Sequence, residues 1–350
     1  PPDSTAPRLG QDQGRLQAGG LLSGGLRRPT GRCGRSRLLQ DGSSLGIGLR
    51  SAPSPVLRLA IAGDLHGQWD ATDERLLEVL QPDALLVVGD LSDGQARIPE
   101  RLGALPLPVA CILGNHDCGR DPSGRTLRRQ LDLLGERHCG WGLRTLTPPG
   151  LAVVGARPGT AGGGFHLSAA VQAVFGQPSL EESARRIREA ALAAAPPLPL
   201  VLLAHCGPSG LGSNHADPCG RDWKKPACDW GDQDLGLAIA AIQRQRPLPL
   251  VVFGHMHHQL RRGQGLRRSF QRDRAGTAYL NTACVPRHGV DPQGRQLRHF
   301  SWVELAAGAL SHASHRWYGL DGQLLYQERL WPAEGAGAPS PAAACTGGAC

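Results

Sequence analysis

The chain has 350 residues, of which 40% are hydrophobic, 19% charged and 4% aromatic, and its 38 Lys and Arg residues outnumber 30 Asp and Glu. This apolar fraction is sufficient for a folded core and argues against a wholly disordered chain, while no apolar stretch is long enough to cross a bilayer. The net charge of +8 would by itself favour a polyanionic partner.

Residues 1–55 differ from the rest of the chain, because they are rich in Gly, Ser and Arg and show no sustained helical or strand period. They hold eight Arg against three Asp, which leaves 30 basic and 27 acidic residues for the other part of the chain. Most of the basic excess therefore lies in this segment, and we expect no stable nucleic-acid partner. The composition predicts a disordered extension, with an organelle transit peptide as the alternative.

The ten cysteines are scattered and contain no CxxC pair. In a chain of this length, scattered cysteines predict free thiols in a reducing compartment. We therefore expect a cytoplasmic protein, or a protein of a plastid or another organelle if residues 1–55 are a transit peptide.

Residues 56–332 have the pattern of one domain in which strands and helices alternate. The predicted strands are 57–61, 84–88, 108–113, 151–154, 198–204 and 248–253, and the predicted helices are 71–80, 181–195 and 234–244. Short strands of a meander follow at 277–283, 299–304, 312–318 and 322–327, and residues 333–350 form a low-complexity tail. The alternation predicts a layered α/β fold.

Polar residues follow five of these strands at the point where each strand ends. The segments are Gly63-Asp64-Leu65-His66-Gly67, Gly89-Asp90, Gly114-Asn115-His116-Asp117, His205 and Gly254-His255-Met256-His257. Because the carboxyl ends of strands in α/β sheets meet at one crevice, we expect these side chains to lie close together. Asp, Asn and His without Cys suit borderline to hard divalent cations. The sequence therefore predicts a metal centre at these strand ends.

The five segments resemble, in order, the GDxHG, GD, GNH[DE], H and GHxH blocks of the calcineurin-like metallophosphoesterase superfamily. The resemblance implies a four-layer α/β/β/α sandwich with two divalent metal ions (Mn, Fe, Zn or Mg) at the strand ends. It also implies hydrolysis of a phosphate ester or anhydride of a small molecule, in which metal-activated hydroxide attacks phosphorus. The segment 206–234 is further similar to an uncharacterised cyanobacterial and plastid subgroup, through Gly207-Pro-Ser-Gly-Leu-Gly212 and Asp217-Pro-Cys-Gly-Arg-Asp-Trp223.

The resemblance also implies a role for each polar residue of the blocks. The ligands of one metal ion are Asp64, His66 and His257, those of the other are Asn115, His205 and His255, and Asp90 bridges the two. His116 is the general acid that protonates the leaving oxygen, a task that suits imidazole because its ordinary pKa lies near neutral pH. Asp117 orients the His116 ring.

The polar loop at 206–234 directly follows the predicted ligand His205. Loops of this length in a compact domain are usually either functional or disordered. Our hypothesis is that the loop forms part of the substrate wall, with Arg221 or Lys224 contacting phosphate. The alternative is a solvated surface loop.

Two other functions are compatible with the sequence. The first is a binding module of the same fold, whose metal ions serve only structure or partner recognition. The second is a nuclease, which would need a basic, aromatic-containing face near the metal ions. A protein Ser/Thr phosphatase is disfavoured, because Asp93-Gly94 lacks the intervening Arg of the typical Asp-Arg-Gly and the third block ends in Asp117 instead of Glu.

Overall fold

The computed structural model describes residues 56–261 and 265–332, so the predicted N-terminal extension and C-terminal tail lie outside the described residues. The helices are α1 (Ala71–Leu80), α2 (Arg97–Ala104), α3 (Arg125–Leu134), α4 (Ala169–Phe175), α5 (Leu180–Ala193) and α6 (Gln233–Gln243). The strands are β1 (Leu57–Ala62), β2 (Ala84–Val87), β3 (Val109–Cys111), β4 (Leu143–Leu146), β5 (Leu151–Gly155), β6 (Leu200–Cys206), β7 (Leu250–Gly254), β8 (Phe270–Arg272), β9 (Ala278–Asn281), β10 (His288–Val290), β11 (Gln296–Ala306), β12 (Ala309–Gly319) and β13 (Leu324–Trp331). Each predicted element has a counterpart, with bounds that shift by a few residues.

The strands form two sheets. The first has the order β13-β12-β11-β1-β2-β3, with β10 beside β11, and the second has the order β4-β5-β6-β7-β9-β8. Strands β1, β2 and β3 run parallel in the first sheet, as do β5, β6, β7 and β9 in the second. Neighbouring parallel strands need crossover connections, and α1 and α2 supply them between β1, β2 and β3.

The hydrophobic core fills the space between the two sheets and continues under the outer helices. In β1, Leu59 and Ile61 pack with residues of the second sheet, whereas Ala60 and Ala62 pack with α1, α2 and α3. Helices α5 and α6 cover the second sheet. A strand that is buried on both faces reads as one apolar run in sequence, which is why these strands could be predicted. The layers confirm the predicted α/β/β/α sandwich.

Three helices and three short strands are not apparent in the sequence: α2, α3, α4, β4, β8 and β10. Helix α2 shows why, because its eight residues include Pro99 and Gly103, both poor helix formers. Pro99 is tolerated because it lies in the first turn of the helix. A backbone N–H at that position would make no hydrogen bond within the helix, so its absence costs little. Burial of Ile98 and Leu102 against the first sheet outweighs these weak propensities.

The helices of the described part are short. The longest, α5, has 14 residues and begins after Ser179, whose hydroxyl accepts a hydrogen bond from the backbone N–H of Glu182. Within residues 56–261 and 265–332, no helix has the length and apolar character needed to cross a membrane.

Candidate metal centre

The seven predicted ligands lie at the ends of β1, β2 and β3 in the first sheet and of β6 and β7 in the second. The structure brings their side chains together in two adjoining groups, which we call the first and second ligand groups. The first ligand group is Asp64, His66 and His257, and the second is Asp90, Asn115, His205 and His255.

The first ligand group combines one carboxylate with two imidazoles. One ligand atom of each residue lies within 4.8 Å of the other two. Nε2 of His66 is 3.3 Å from Nε2 of His257, which in turn is 3.9 Å from Oδ1 of Asp64. Three nitrogen and oxygen atoms so close together, on strands from two sheets, could hold one divalent ion.

The second ligand group lies deeper. One ligand atom each of Asp90, His205 and His255 again lies within 4.8 Å of the others. Oδ1 of Asn115 is 3.0 Å from Nε2 of His205, so the amide oxygen faces the same point. His205 is fully buried.

Asp90 faces both groups at once. Its Oδ2 is 3.8 Å from Nε2 of His66, and its Oδ1 is 3.4 Å from Nε2 of His205. The carboxylate is 2% exposed, and Oδ1 also accepts a hydrogen bond from the backbone N–H of His116 at 3.0 Å. One carboxylate thus separates the two groups and offers one oxygen to each.

The backbone is strained at four of the seven predicted ligands. Asp64, His66, Asp90 and His255 have φ angles of 43°, 42°, 48° and 65°. This left-handed region is unfavourable for residues with a side chain, and such strain concentrates at functional sites. The sharp turns that result point the side chains back over the strand ends.

Two glycines allow the close approach of the ligands. A Cβ atom on Gly114 would lie 2.2 Å from Oδ1 of Asp90, and one on Gly254 would lie 2.1 Å from Oδ2 of Asp64. Neither carboxylate could keep its position beside a larger residue, so these strand ends require glycine.

His205 is aimed at the site by a bulge in β6. The register with β7 shifts between Leu203 and Cys206, so β6 contains one extra residue there. Nδ1 of His205 donates a hydrogen bond to the carbonyl of Val88 at 2.7 Å, which leaves Nε2 directed at Asp90 and Asn115.

Burial and charge shift the pKa values of the ligands in opposite directions. Burial lowers the pKa of His255 to about 3 and that of His257 to about 4, so both imidazoles are neutral at pH 7 with a lone pair available. Burial raises the pKa of Asp64 to about 7. For His205, burial is the largest single effect and opposes protonation, but the charges of Asp90 and Asp64 and the hydrogen bonds to Asp90 and Val88 together outweigh it and raise the pKa to about 10. A bound cation would compete with these protons for the same atoms.

His116 lies at the mouth of the site, with 52% of its side chain exposed. Its Nδ1 is 3.0 Å from Oδ1 of Asp93, a residue for which the sequence predicts no role. The structure does not bring Asp117 to this ring, because the Asp117 carboxylate accepts backbone hydrogen bonds from Leu91 and Gly114 at 2.8 and 2.9 Å. Asp93 lies close to the predicted ligand Asp90, in the same segment after β2. This second carboxylate near the same strand end is the sequence signal that could have pointed to it.

A cavity of about 390 Å³ opens onto the two ligand groups. Its lining includes the predicted ligands Asp90, His255 and His257, together with Trp223, Trp230 and Arg261. The loop at 206–234 therefore does form a wall of this cavity. Both tryptophans belong to the loop predicted as a wall, although no role was predicted for either, and no residue pattern connects Arg261 to the segments that carry the predicted ligands.

The two basic residues predicted to contact phosphate lie elsewhere on this loop. Neither Arg221 nor Lys224 belongs to the cavity lining. Arg221 donates a hydrogen bond from Nη2 to the carbonyl of Pro226 at 2.6 Å, and Lys224 is exposed. Arg261 lines the cavity instead.

The family of the protein follows from comparison with family models. The model described as calcineurin-like phosphoesterase matches residues 57–259, which is more than half of the chain. The protein therefore belongs to the calcineurin-like phosphoesterase family, as its sequence blocks predict. Membership supports a metal-dependent phosphoester hydrolase in general, with divalent metal ions and phosphorylated substrates. The narrower similarity to a cyanobacterial and plastid subgroup stays a prediction.

Several solved structures are similar to this chain. A dimetal phosphatase from Danio rerio has 10% identity and a TM-score of 0.45, and the match covers 80% of this chain and 99% of that one. Purple acid phosphatase from yellow lupin has 13% identity and a TM-score of 0.42, with 79% and 54% covered. A protein from Thermus thermophilus has 13% identity and a TM-score of 0.41, with 79% and 99% covered. A search of curated proteins found no match.

Proposed function

We propose that the protein is a dinuclear metal-dependent hydrolase of phosphate esters or anhydrides of a small molecule, with water as the nucleophile. The observation that carries this proposal is the position of Asp90, whose two oxygens face His66 on one side and His205 on the other. Two ions about 3.5–4 Å apart clamp a phosphoryl group during in-line displacement. A shared carboxylate between two ligand groups suits such a pair.

The donor atoms fit divalent ions. Asp64, His66 and His257 would hold one ion, Asn115, His205 and His255 the other, and Asp90 both. Carboxylate and amide oxygens combined with imidazole nitrogens suit Mn, Fe, Zn or Mg, and the fixed ring of His205 presents one nitrogen only. When bound, the ions would neutralise phosphoryl charge and make water acidic enough to attack phosphorus near neutral pH.

His116 is the proposed general acid. Its side chain is half exposed at the mouth of the cavity, where a substrate can reach it, and Asp93 contacts its Nδ1. With Nδ1–H donated to Asp93, Nε2 is the nitrogen that can carry a proton to the leaving oxygen. Asp93, and not Asp117, is therefore the residue that we propose positions the ring. Asp117 instead holds backbone amides close to Asp90 and Asn115.

A cytoplasmic location is part of the proposal. Five cysteines of the described part are buried and have free thiols: Cys111, Cys118, Cys139, Cys206 and Cys219. Free thiols are typical of a reducing compartment.

Removal of divalent ions tests the function. Treatment with a chelator should abolish hydrolysis of p-nitrophenyl phosphate, and addition of Mn²⁺, Fe²⁺, Zn²⁺ or Mg²⁺ should restore it, because the ions supply the charge that stabilises the transition state. The measurements are nitrophenolate release and metal content, with about two ions per chain expected in the active protein.

The His116→Asn variant is the control for contaminating phosphatases. It should keep its metal content and lose about 10²- to 10⁴-fold in rate, the usual contribution of a general acid. If the metal-loaded protein hydrolysed no monoester, cyclic diester, linear diester or nucleotide, the proposal would fail in favour of the non-catalytic binding module.

The Asp93→Asn variant tests how His116 is positioned. We expect kcat to fall by about 10- to 100-fold with KM and metal content unchanged, a loss of the size known for the hydrogen-bond partners of metal-bound histidines. Asp93→Glu should recover part of the loss. The matched variant Asp117→Asn should instead lower metal content, since Asp117 holds the backbone of Leu91 and Gly114. A loss of metal in Asp93→Asn, or full activity, would contradict the assignment.

A further inference from the structure

We propose that the substrate carries a planar aromatic group joined to its phosphate, as a nucleoside phosphate does, and that Trp223 and Trp230 bind this group. The inference rests on the proposed hydrolase function and adds a substrate class to it. We call the two tryptophans the aromatic corner.

The aromatic corner forms part of the wall of the cavity at the metal centre. Its two ring centroids are 5.1 Å apart and the ring planes are at 80° to each other. Both side chains are only half buried, and both line the cavity that His255 and His257 also line. A planar group can stack on one of two perpendicular rings while its edge meets the other, and both contacts are favourable for aromatic pairs.

The corner is held in place by its surroundings. Nε1 of Trp230 donates a hydrogen bond to the carbonyl of Ala161 at 2.9 Å. The ring lies against Gly163, where a Cβ atom would be 2.3 Å from two ring atoms. A ring that is already fixed loses little conformational entropy when a ligand stacks on it, which favours binding.

Arg267 connects the loop that carries the corner to the metal centre. Its guanidinium forms a buried ion pair with Asp222 at 3.3 Å and donates hydrogen bonds to the carbonyls of Gly220 and Asp217 at 2.6 and 2.9 Å. Nε of the same group donates to the carbonyl of His257 at 3.1 Å. The position of Trp223 is thereby tied to that of a predicted metal ligand.

An arginine side chain lies over each ring of the aromatic corner. The guanidinium of Arg261 lies 5.6 Å from the centre of Trp223, and that of Arg221 lies 5.2 Å from the centre of Trp230. Arginine stacked on an aromatic ring forms a platform for a base, and its charge attracts phosphate. Arg221, predicted as a phosphate contact, thus lies beside an aromatic ring.

The size of the cavity and the charge of the domain favour a small molecule over a nucleic acid. A cavity of about 390 Å³ lies in the range of small-molecule sites. Outside residues 1–55 the chain has 30 basic and 27 acidic residues, and this small positive excess would attract a nucleic acid only weakly.

A matched pair of substrates tests the inference. Adenosine 5′-monophosphate and ribose 5-phosphate share the same sugar phosphate and differ at C1 of the sugar, which carries adenine in the nucleotide and a hydroxyl in the sugar phosphate. The metal-loaded protein should have a kcat/KM about tenfold or more higher for the nucleotide, because stacking of one base contributes that much. Calorimetric titration of both compounds gives a second readout that does not depend on turnover, and the nucleotide should bind more tightly by a similar factor.

Variants of the corner complete the test. Trp223→Ala should bring the ratio of kcat/KM for the nucleotide to kcat/KM for ribose 5-phosphate close to unity, whereas Trp223→Phe should keep most of the preference. The control is Trp331→Phe, because Trp331 stacks on Phe270 and lies outside the cavity lining. A parent protein that treats both compounds alike, or a Trp223→Ala variant that keeps the preference, would overturn the inference.

Two further outcomes separate this inference from the proposed function. If no compound of the monoester, diester and nucleotide panel is hydrolysed but adenosine 5′-monophosphate still binds more tightly than ribose 5-phosphate, the hydrolase proposal fails and the aromatic site stands. If a short single-stranded oligonucleotide displaces the nucleotide at lower concentration than free adenosine 5′-monophosphate does, the corner serves a nucleic acid and the small-molecule inference is wrong.

Discussion

The Asp90→Asn variant is expected to lose about 10³-fold in kcat/KM for a phosphomonoester, since several kcal/mol of transition-state stabilisation depend on a complete metal pair. Asn keeps the shape of the side chain and one carbonyl oxygen, but it removes the charge that faces both His66 and His205. We expect the metal content to fall from about two ions per chain to about one. Steady-state kinetics and elemental analysis of the same preparation measure the two effects.

The control for this experiment is Asp121→Asn, which removes a carboxylate that pairs with Arg125 away from the metal centre. This variant should keep both its rate and its metal content. Asp90→Asn with two ions and the parental rate would show that Asp90 is not shared between two metal ions, and the dinuclear proposal would then fail.

The largest effect on stability is expected for Arg157→Met. Arg157 is 1% exposed and forms ion pairs with two buried carboxylates, Asp232 at 2.6 Å and Asp234 at 3.0 Å. Removal of one partner of a buried ion pair typically reduces stability by about 3–5 kcal/mol, because the remaining charge stays buried without compensation. Urea unfolding at pH 7.5 measures the free energy of unfolding.

Arg185→Met is the matched control for Arg157→Met. Arg185 also contacts two carboxylates, those of Glu182 and Glu189, but its side chain is 48% exposed on helix α5. Exposed pairs contribute about 0–1 kcal/mol, so this variant should unfold at nearly the parental urea concentration. If both variants lost a similar amount of unfolding free energy, the ion pairs of Arg157 would stabilise the protein no more than exposed pairs do.

The clustering of the seven predicted ligands could be predicted because each lies at the end of an apolar strand, within a short segment. Asp64 and Asp90 come directly after glycines at the ends of β1 and β2, and parallel strands end at the same edge of a sheet. The relation between the segments is thus set by sheet topology, which the alternation of strands and helices indicates. The bulge that turns His205 toward the site is a matter of register between β6 and β7, and nothing in the sequence of β6 predicts it.

The partner of His116 shows where sequence reasoning fails. Asp117 is the next residue, but residues His116–Cys118 form a turn of 3₁₀ helix, in which successive side chains point in different directions. The Asp117 carboxylate consequently accepts hydrogen bonds from the backbone amides of Leu91 and Gly114. The His116 imidazole instead contacts Asp93, which follows the end of β2. Contacts between loops of different strands depend on tertiary packing, which a local pattern does not encode.

The wall of the cavity could be predicted only in outline, for a similar reason. The length and polarity of 206–234 indicate a functional loop, but irregular loops have no period from which the direction of a side chain can be read. Arg261 reaches the cavity from a segment about forty residues away from Arg221, after β7 has returned the chain to the site.

The contacts made by the guanidinium of Arg267 limit how this protein can be engineered. Because the guanidinium binds three carbonyls of the loop (His215, Asp217 and Gly220), the side chain of Asp222 and the carbonyl of His257, the loop and the end of β7 are not separable modules. If residues 206–234 were grafted into another member of the family, the graft would include Trp223 and Trp230 but not Arg267, which holds this loop in place. A functional chimera would need Arg267 as well, whereas a change of substrate preference within this protein can be sought at Trp223 alone.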